Sequence, residues 1–236
     1  MKTKQAVGLI LSLSVAATSH ATPQADQTAR RNEEKQMTVR VRNYARIEPG
    51  VLLKAERTAN KILQDAGVDT VWVLCFDGST WSRDVVCTDP LGPMNVTVNV
   101  LPSSMSQGFR LRGEAFGMAA EDGELGFGCD AWVFSGPIAS FAVERELGVA
   151  QLLGHVFAHE LGHLLLGPNS HSGMGLMRAR WSSRELHAAD HGVLFFSASE
   201  DRRIQKAVLA RWQAGSLGVQ SVRAGQISTI RVLPQL

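Results

Sequence analysis

Apolar and polar positions alternate over residues 37–47, MTVRVRNYARI. Val39, Val41, Ala45 and Ile47 fall on one side and Arg40 and Arg42 on the other, which predicts a strand. Pro49 follows where a first helical turn tolerates it. Val51, Leu52, Ala55, Ala59, Ile62, Leu63 and Ala66 then recur at helical steps, up to a stop at Gly67. Residues 69–75, DTVWVLC, predict a second strand, and the strand–helix–strand order favours a parallel pair with a right-handed crossover. Residues 95–101, NVTVNVL, alternate again and predict a third strand. A short edge strand is expected near Glu114–Ala120, and 130–136, DAWVFSG, predicts a fifth strand.

The longest helical pattern comes next. Val149, Leu152, Leu153, Val156, Phe157, Leu161, Leu164 and Leu165 recur every three or four residues. Gly167-Pro168 should end that helix near Leu166, because Gly suits the position after a helix and Pro cannot continue one. A final helix is expected from about Ser199 to Ala214, with Ile204, Val208, Leu209 and Trp212 inward, followed by a tail over 215–236.

The chain has 236 residues, 44% apolar and 19% charged, which fits one globular domain with a sizeable core plus tails. The net charge of +2 and the lack of a basic cluster point away from a nucleic-acid partner. Lys2 and Lys4, the apolar run AVGLILSLSVAA over 6–17 and Ser19-His20-Ala21 read as a signal peptide, 1–21, so the protein is expected to be secreted or periplasmic. The run is short for a membrane span, so no stable membrane insertion is expected after cleavage. Residues 22–36 are polar, without a hydrophobic period, and read as a flexible leader. Export implies an oxidising compartment. Cys75 and Cys87 flank a turn-rich stretch that a disulfide can close, with Cys129 left over; three free or buried thiols are the alternative.

The chemistry sits on the long helix. Residues 159–163 read HELGH. Two histidines four apart share one helical face, with Cβ atoms about 5–6 Å apart, so His159 and His163 can converge on one zinc ion. Glu160 lies one step round the helix, where it can take a proton from a water at the metal; zinc lowers the pKa of such a water to about 7. A catalytic zinc site needs a third protein ligand. His171 is the first residue past the helix stop able to ligate zinc well. Glu185, His187, Asp190 and His191 in SSRELHAADH compete with it, although that segment also reads as a short helix with polar faces. His155, one turn before His159, reads as a hydrogen-bonded core residue.

These residues resemble the metzincin clan of zinc peptidases, whose motif is H-E-x-x-H-x-x-G-x-x-H followed by a Met-turn. His159, Glu160 and His163 match it; Gly167 falls one position late and His171 two positions late, which lengthens the zinc-binding loop by two residues. His171-Ser172 is similar to the His-Ser pair of the matrixin branch, and Gly175-Leu176-Met177 looks like the Met-turn. The only Tyr is Tyr44, so a tyrosine that some branches place near the metal is absent. The resemblance covers roughly residues 37–214. It implies an α/β (α+β) zincin fold, with a mixed five-stranded sheet, an active-site helix, a C-terminal helix and an edge strand that pairs with a peptide substrate. The loop Arg178–Trp181 is expected to shape the specificity pocket. The function implied is a secreted zinc endopeptidase with Glu160 as general base and His159, His163 and His171 on the metal. The alternatives are a gluzincin-type peptidase, with Glu185 or Asp190 as third ligand, and an exported binding protein that zinc stabilises without turnover.

Overall fold

Three predicted strands, residues 37–43, 70–75 and 95–101, lie side by side in the computed structural model. The structure describes residues 35–75, 87, 92–106, 115–122, 127–167 and 169–223, all within one compact unit, Glu34–Leu236. The expected signal peptide, most of the leader, Glu114, Pro168 and the end of the tail lie outside the described residues.

The strands are β1 (Met37–Asn43), β2 (Thr70–Cys75), β3 (Asn95–Leu101), β4 (Gly117–Asp122) and β5 (Phe127–Phe134). They form one sheet in the order β2-β1-β3-β5-β4. The pairs β1–β2, β1–β3 and β3–β5 are parallel, whereas β4 runs antiparallel to β5 at the edge. The fold is therefore mixed α/β, with a five-stranded mixed sheet. In β3 the valines Val96, Val98 and Val100 and the intervening Thr97 and Asn99 are all buried. A strand buried on both faces needs its polar groups paired, and Asn99 Nδ2 donates to Ala131 O at 3.3 Å. β1 differs from its simple alternation, because Arg40 is also buried. It also stops four residues early. Asn43 clamps the following turn, donating from Nδ2 to Ile47 O and accepting from Ile47 N, both at 2.9 Å.

The helices are α1 (Pro49–Asp65), α2 (Ser103–Ser106), α3 (Ser135–Glu144), α4 (Val149–Leu166), α5 (Ser183–Asp190) and α6 (Ala198–Arg223). Glu48 caps α1, its carboxylate accepting from Gly50 N and Val51 N at 2.9 Å each. Gly67, at φ 82°, turns the chain after the helix, in the left-handed region that glycine favours. α1 and α4 cross closely at Gly154, where a Cβ would sit 2.6 Å from Ala55 O. Leu52, Ile62, Leu63, Leu152, Leu153, Val156 and Leu161 form the core between the two helices and the sheet; each buried Leu or Ile contributes about 1.5–3 kcal/mol.

The sequence pattern misses α3. β5 ends at Phe134, and Ser135, expected in the strand, opens a helix while its Oγ donates to Leu101 O at 3.1 Å. The last helix also runs past Ala214 to Arg223. On it Ile204 is buried as expected, but Leu209 is 45% exposed and Arg211 is buried at 1%. Positions 204, 208 and 211 share one face at helical spacing and 209 does not. Cys75 and Cys87 form a disulfide, while Cys129 is buried and its Sγ donates to Phe127 O. No helix among the described residues is long and apolar enough to cross a membrane.

Candidate metal centre

α4 carries His159 and His163 on one face and ends at Gly167, whose φ of 83° breaks the helix. Asn169 then takes φ 55°, a left-handed conformation that asparagine tolerates better than most side chains. That turn sends two consecutive residues to the same imidazole from opposite sides. Ser170 is buried and its Oγ lies 2.8 Å from His163 Nδ1. His171 is exposed and its Nε2 lies 3.1 Å from His163 Nε2. His159 Nε2 is also 3.1 Å from His163 Nε2, and one ligand atom from each of the three histidines falls within 4.8 Å of the others. Among the described residues this is the one group of three or more His, Cys, Asp or Glu so placed.

The tautomers follow from the partners. His159 Nδ1 lies 2.7 Å from Leu176 O, which can only accept, so Nδ1 carries the proton and Nε2 presents its lone pair. Burial pushes His159 down to about 4 and His163 down to about 3, so both rings are neutral near pH 7. The Nε2 of His163 stands 3.1 Å from the Nε2 atoms of both His159 and His171, so one nitrogen from each ring faces the same small space. A tetrahedral zinc with bonds of about 2.0–2.1 Å wants ligand nitrogens about 3.3 Å apart, and an open three-imidazole set is a catalytic zinc pattern. The donor set therefore fits zinc. Because Ser170 fixes the His163 ring, Ser170→Ala should weaken zinc binding by about 10–100-fold. Competition with a chromophoric chelator measures this, and unchanged affinity would show that Ser170 does not orient the ring.

Glu160 faces the edge strand. Its side chain is buried, Oε2 has no hydrogen-bond partner among the described residues, and burial pushes its carboxyl up to about 8. Space for it exists because residue 117 of β4 is glycine: a Cβ there would lie 2.6 Å from Glu160 Oε1. Beneath the helix, Met177 is fully buried and packs at Gly162, where a Cβ would lie 2.6 Å from its Sδ. The preceding turn is pinned by Leu176 N donating to Phe195 O at 3.1 Å, and Gly175 takes φ 78°. Trp181 Nε1 donates to the same Leu176 O at 3.0 Å and sets its ring edge-on to His159 at 6.0 Å.

The competing ligands are engaged elsewhere. Glu185 Oε2 accepts from Arg178 Nη1 and Ser182 N at 2.9 Å each, and from the Ser182 hydroxyl, in a capping box that starts α5. Asp190 accepts from Gly148 N at 3.2 Å. His187 and His191 are exposed, their ring centroids 4.2 Å apart and their planes tilted by 42°, with His191 Nδ1 at His187 O. His155 is buried, with Nδ1 at Gln151 O and the ring edge-on to Trp181, and burial lowers its pKa. The third member of the cluster is therefore His171, and the downstream carboxylates take no part. Ser170 and the Leu176 carbonyl were not foreseeable as individual partners. The only signal for Ser170 is a small hydroxyl residue immediately before a candidate ligand.

The hydroxyl of Ser182, its amide and the Arg178 guanidinium hold Glu185 down to about 2, against a usual value of 4.5. A depressed carboxyl contributes stability that is present above pH 4.5 and is lost as pH falls toward about 2. Glu185→Gln should remove that contribution, costing about 1–3 kcal/mol near neutral pH and flattening the acid limb of the stability curve in chemical denaturation. An unaltered acid limb would contradict it.

The metal centre opens into a cleft of about 950 Å³ between β4 and the loop after Met177. Phe116, Met118, Phe141, Val156, Trp181 and Leu186 give it apolar walls. No protein-family model matches the chain, and no curated protein matches it. Among solved structures, an archaemetzincin from Methanopyrus kandleri is similar at 15% identity and a TM-score of 0.46, over 74% of this chain and 97% of that one.

Proposed function

We propose that this chain is an exported, metzincin-like zinc endopeptidase. The observation that carries the reading is the convergence of three Nε2 atoms beside a buried, unpartnered Glu160 at the floor of an open cleft. His159, His163 and His171 would hold the metal, and the Leu176 carbonyl and Ser170 hydroxyl orient two of those rings. When bound, zinc supplies positive charge that returns Glu160 toward its ionised form, acidifies water and polarises a carbonyl oxygen. Glu160 takes the proton of the attacking water at its carboxylate and hands it to the departing amide nitrogen, so the peptide C–N bond breaks as a C–O bond forms. β4 supports the peptide substrate: residues 115–120 line the cleft at the sheet's edge, where an extended chain can pair with exposed backbone groups. A turn carrying Met177 under the helix supports the Met-turn resemblance, and the Cys75–Cys87 disulfide supports export.

The test combines stoichiometry and turnover. Purified protein should bind one zinc per chain and cleave internal bonds in a mixed peptide library. Chelation should abolish cleavage, and added zinc should restore it. Stoichiometric zinc with an uncut library would instead favour a zinc-stabilised binding protein.

A further inference from the structure

The walls of the cleft carry an uneven set of charges. Histidines aside, the charged side chains among the described residues lining it are Glu160, Arg178 and Arg180. Glu160 is committed to the metal centre. The remaining charge is therefore positive and lies on one segment, just past the turn that supports His159.

The two arginines differ in how they are held. Arg178 is anchored, its Nη1 donating at 2.9 Å to a Glu185 that is only 4% exposed and fixed in turn by Ser182. A guanidinium positioned in advance loses little side-chain freedom when it meets a ligand, and its planar fork keeps further N–H donors. Arg180, two residues on, is exposed and lines the same cleft. Glu185 offsets the charge of Arg178, so the net positive charge of the wall falls on Arg180. Trp181 adjoins Arg180 in the chain, and Phe116 and Phe141 line the same cleft, so a peptide lying there meets apolar surface as well as the guanidinium. Apart from Glu160, no described lining residue offers a negative group to a substrate ammonium.

The geometry points to a substrate-carboxylate subsite at Arg180, with Arg178 supporting it: the cleft prefers peptides that place a carboxylate against the 178–181 wall. This rests on the peptidase reading of the same cleft. The carboxylate has two sources, an Asp or Glu side chain or the free C-terminus of a short peptide, and both present the planar anion that a guanidinium binds through paired hydrogen bonds.

Binding separates this inference from the peptidase reading. Zinc-loaded Glu160→Gln protein is titrated calorimetrically with peptides of one apolar sequence: a C-terminal amide, the same peptide with a free C-terminus, and amides carrying Glu at each position in turn. At least one carboxylate peptide should bind about tenfold more tightly than the neutral amide. The arm that gains identifies the source. Arg180→Gln should remove the gain, and Arg180→Glu should shift preference toward Lys-bearing peptides; Arg180 is exposed, so neither change threatens folding. Equal affinity for neutral and carboxylate peptides, or a gain that survives Arg180→Glu, overturns the assignment. If wild-type protein cleaves none of these peptides while the Arg180-dependent gain is present, the peptidase reading falls and the carboxylate subsite stands.

Discussion

Replacing Glu160 by Gln should leave the zinc content unchanged and lower peptide hydrolysis by about 10²–10⁴-fold, the usual contribution of a positioned general base. The reasoning is geometric. Gln has nearly the shape of Glu, and the space that Gly117 leaves beside Glu160 accommodates it. The three imidazoles take their orientation from Leu176 O, Ser170 Oγ and the loop, none of which involves Glu160. What the amide lacks is the capacity to take a proton from water and return it to the leaving nitrogen. Zinc analysis together with single-turnover hydrolysis decides the matter. Full-rate cleavage by the variant would falsify the assignment of Glu160 as base, and loss of zinc would move Glu160 into the metal's own support.

The second large effect concerns stability. Arg211, on α6, is 1% exposed, and its guanidinium donates to Pro93 O at 3.0 Å, Gly128 O at 2.8 Å and Leu164 O at 2.7 Å, with Phe127 5.0 Å below. Burial lowers its pKa, yet an arginine stays charged throughout the working range. One side chain thus ties the approach to β3, the start of β5 and the last turn of α4, where Leu164 follows His163. Arg211→Met fills similar volume but leaves the buried carbonyl contacts at Gly128 and Leu164 and the half-buried one at Pro93 without that donor. We expect a loss of about 1–3 kcal/mol in urea unfolding, a sizeable part of the usual total of about 5–15 kcal/mol. Arg211→Lys should recover part of it, because one ammonium cannot reach three diverging carbonyls as the guanidinium fork does. A loss below about 1 kcal/mol would mean that the carbonyls find other donors.

Local patterns made much of this legible in advance. The bounds of α4 follow from its apolar spacing and the Gly167 stop; alternation marks β3 and also β1, which stops at Asn43 short of the expected Ile47. HELGH was readable because two ligands and a base on one helical turn need no tertiary information. His171 was harder. Its eight-residue step from His163 says nothing about direction until Asn169 takes a left-handed conformation and turns the chain back. α3 was missed because Ser135 and Gly136 read as the end of a strand, and its start depends on a contact with Leu101 across the fold. Arg211 escaped for the opposite reason. A charged residue reads as solvent-facing, and only the arrangement of three distant carbonyls makes an interior position favourable for it.

The carbonyl of Leu176 accepts from both His159 Nδ1 and Trp181 Nε1. The two rings therefore share one acceptor, and they stand edge-on with centroids 6.0 Å apart. Trp181 thus gives the centre a built-in optical reporter. Tryptophan emission should change as zinc loads, and Trp181→Phe, which keeps the other four tryptophans and all three clustered histidines, should remove that change while zinc still binds, so occupancy can be followed in real time without a dye or a substrate.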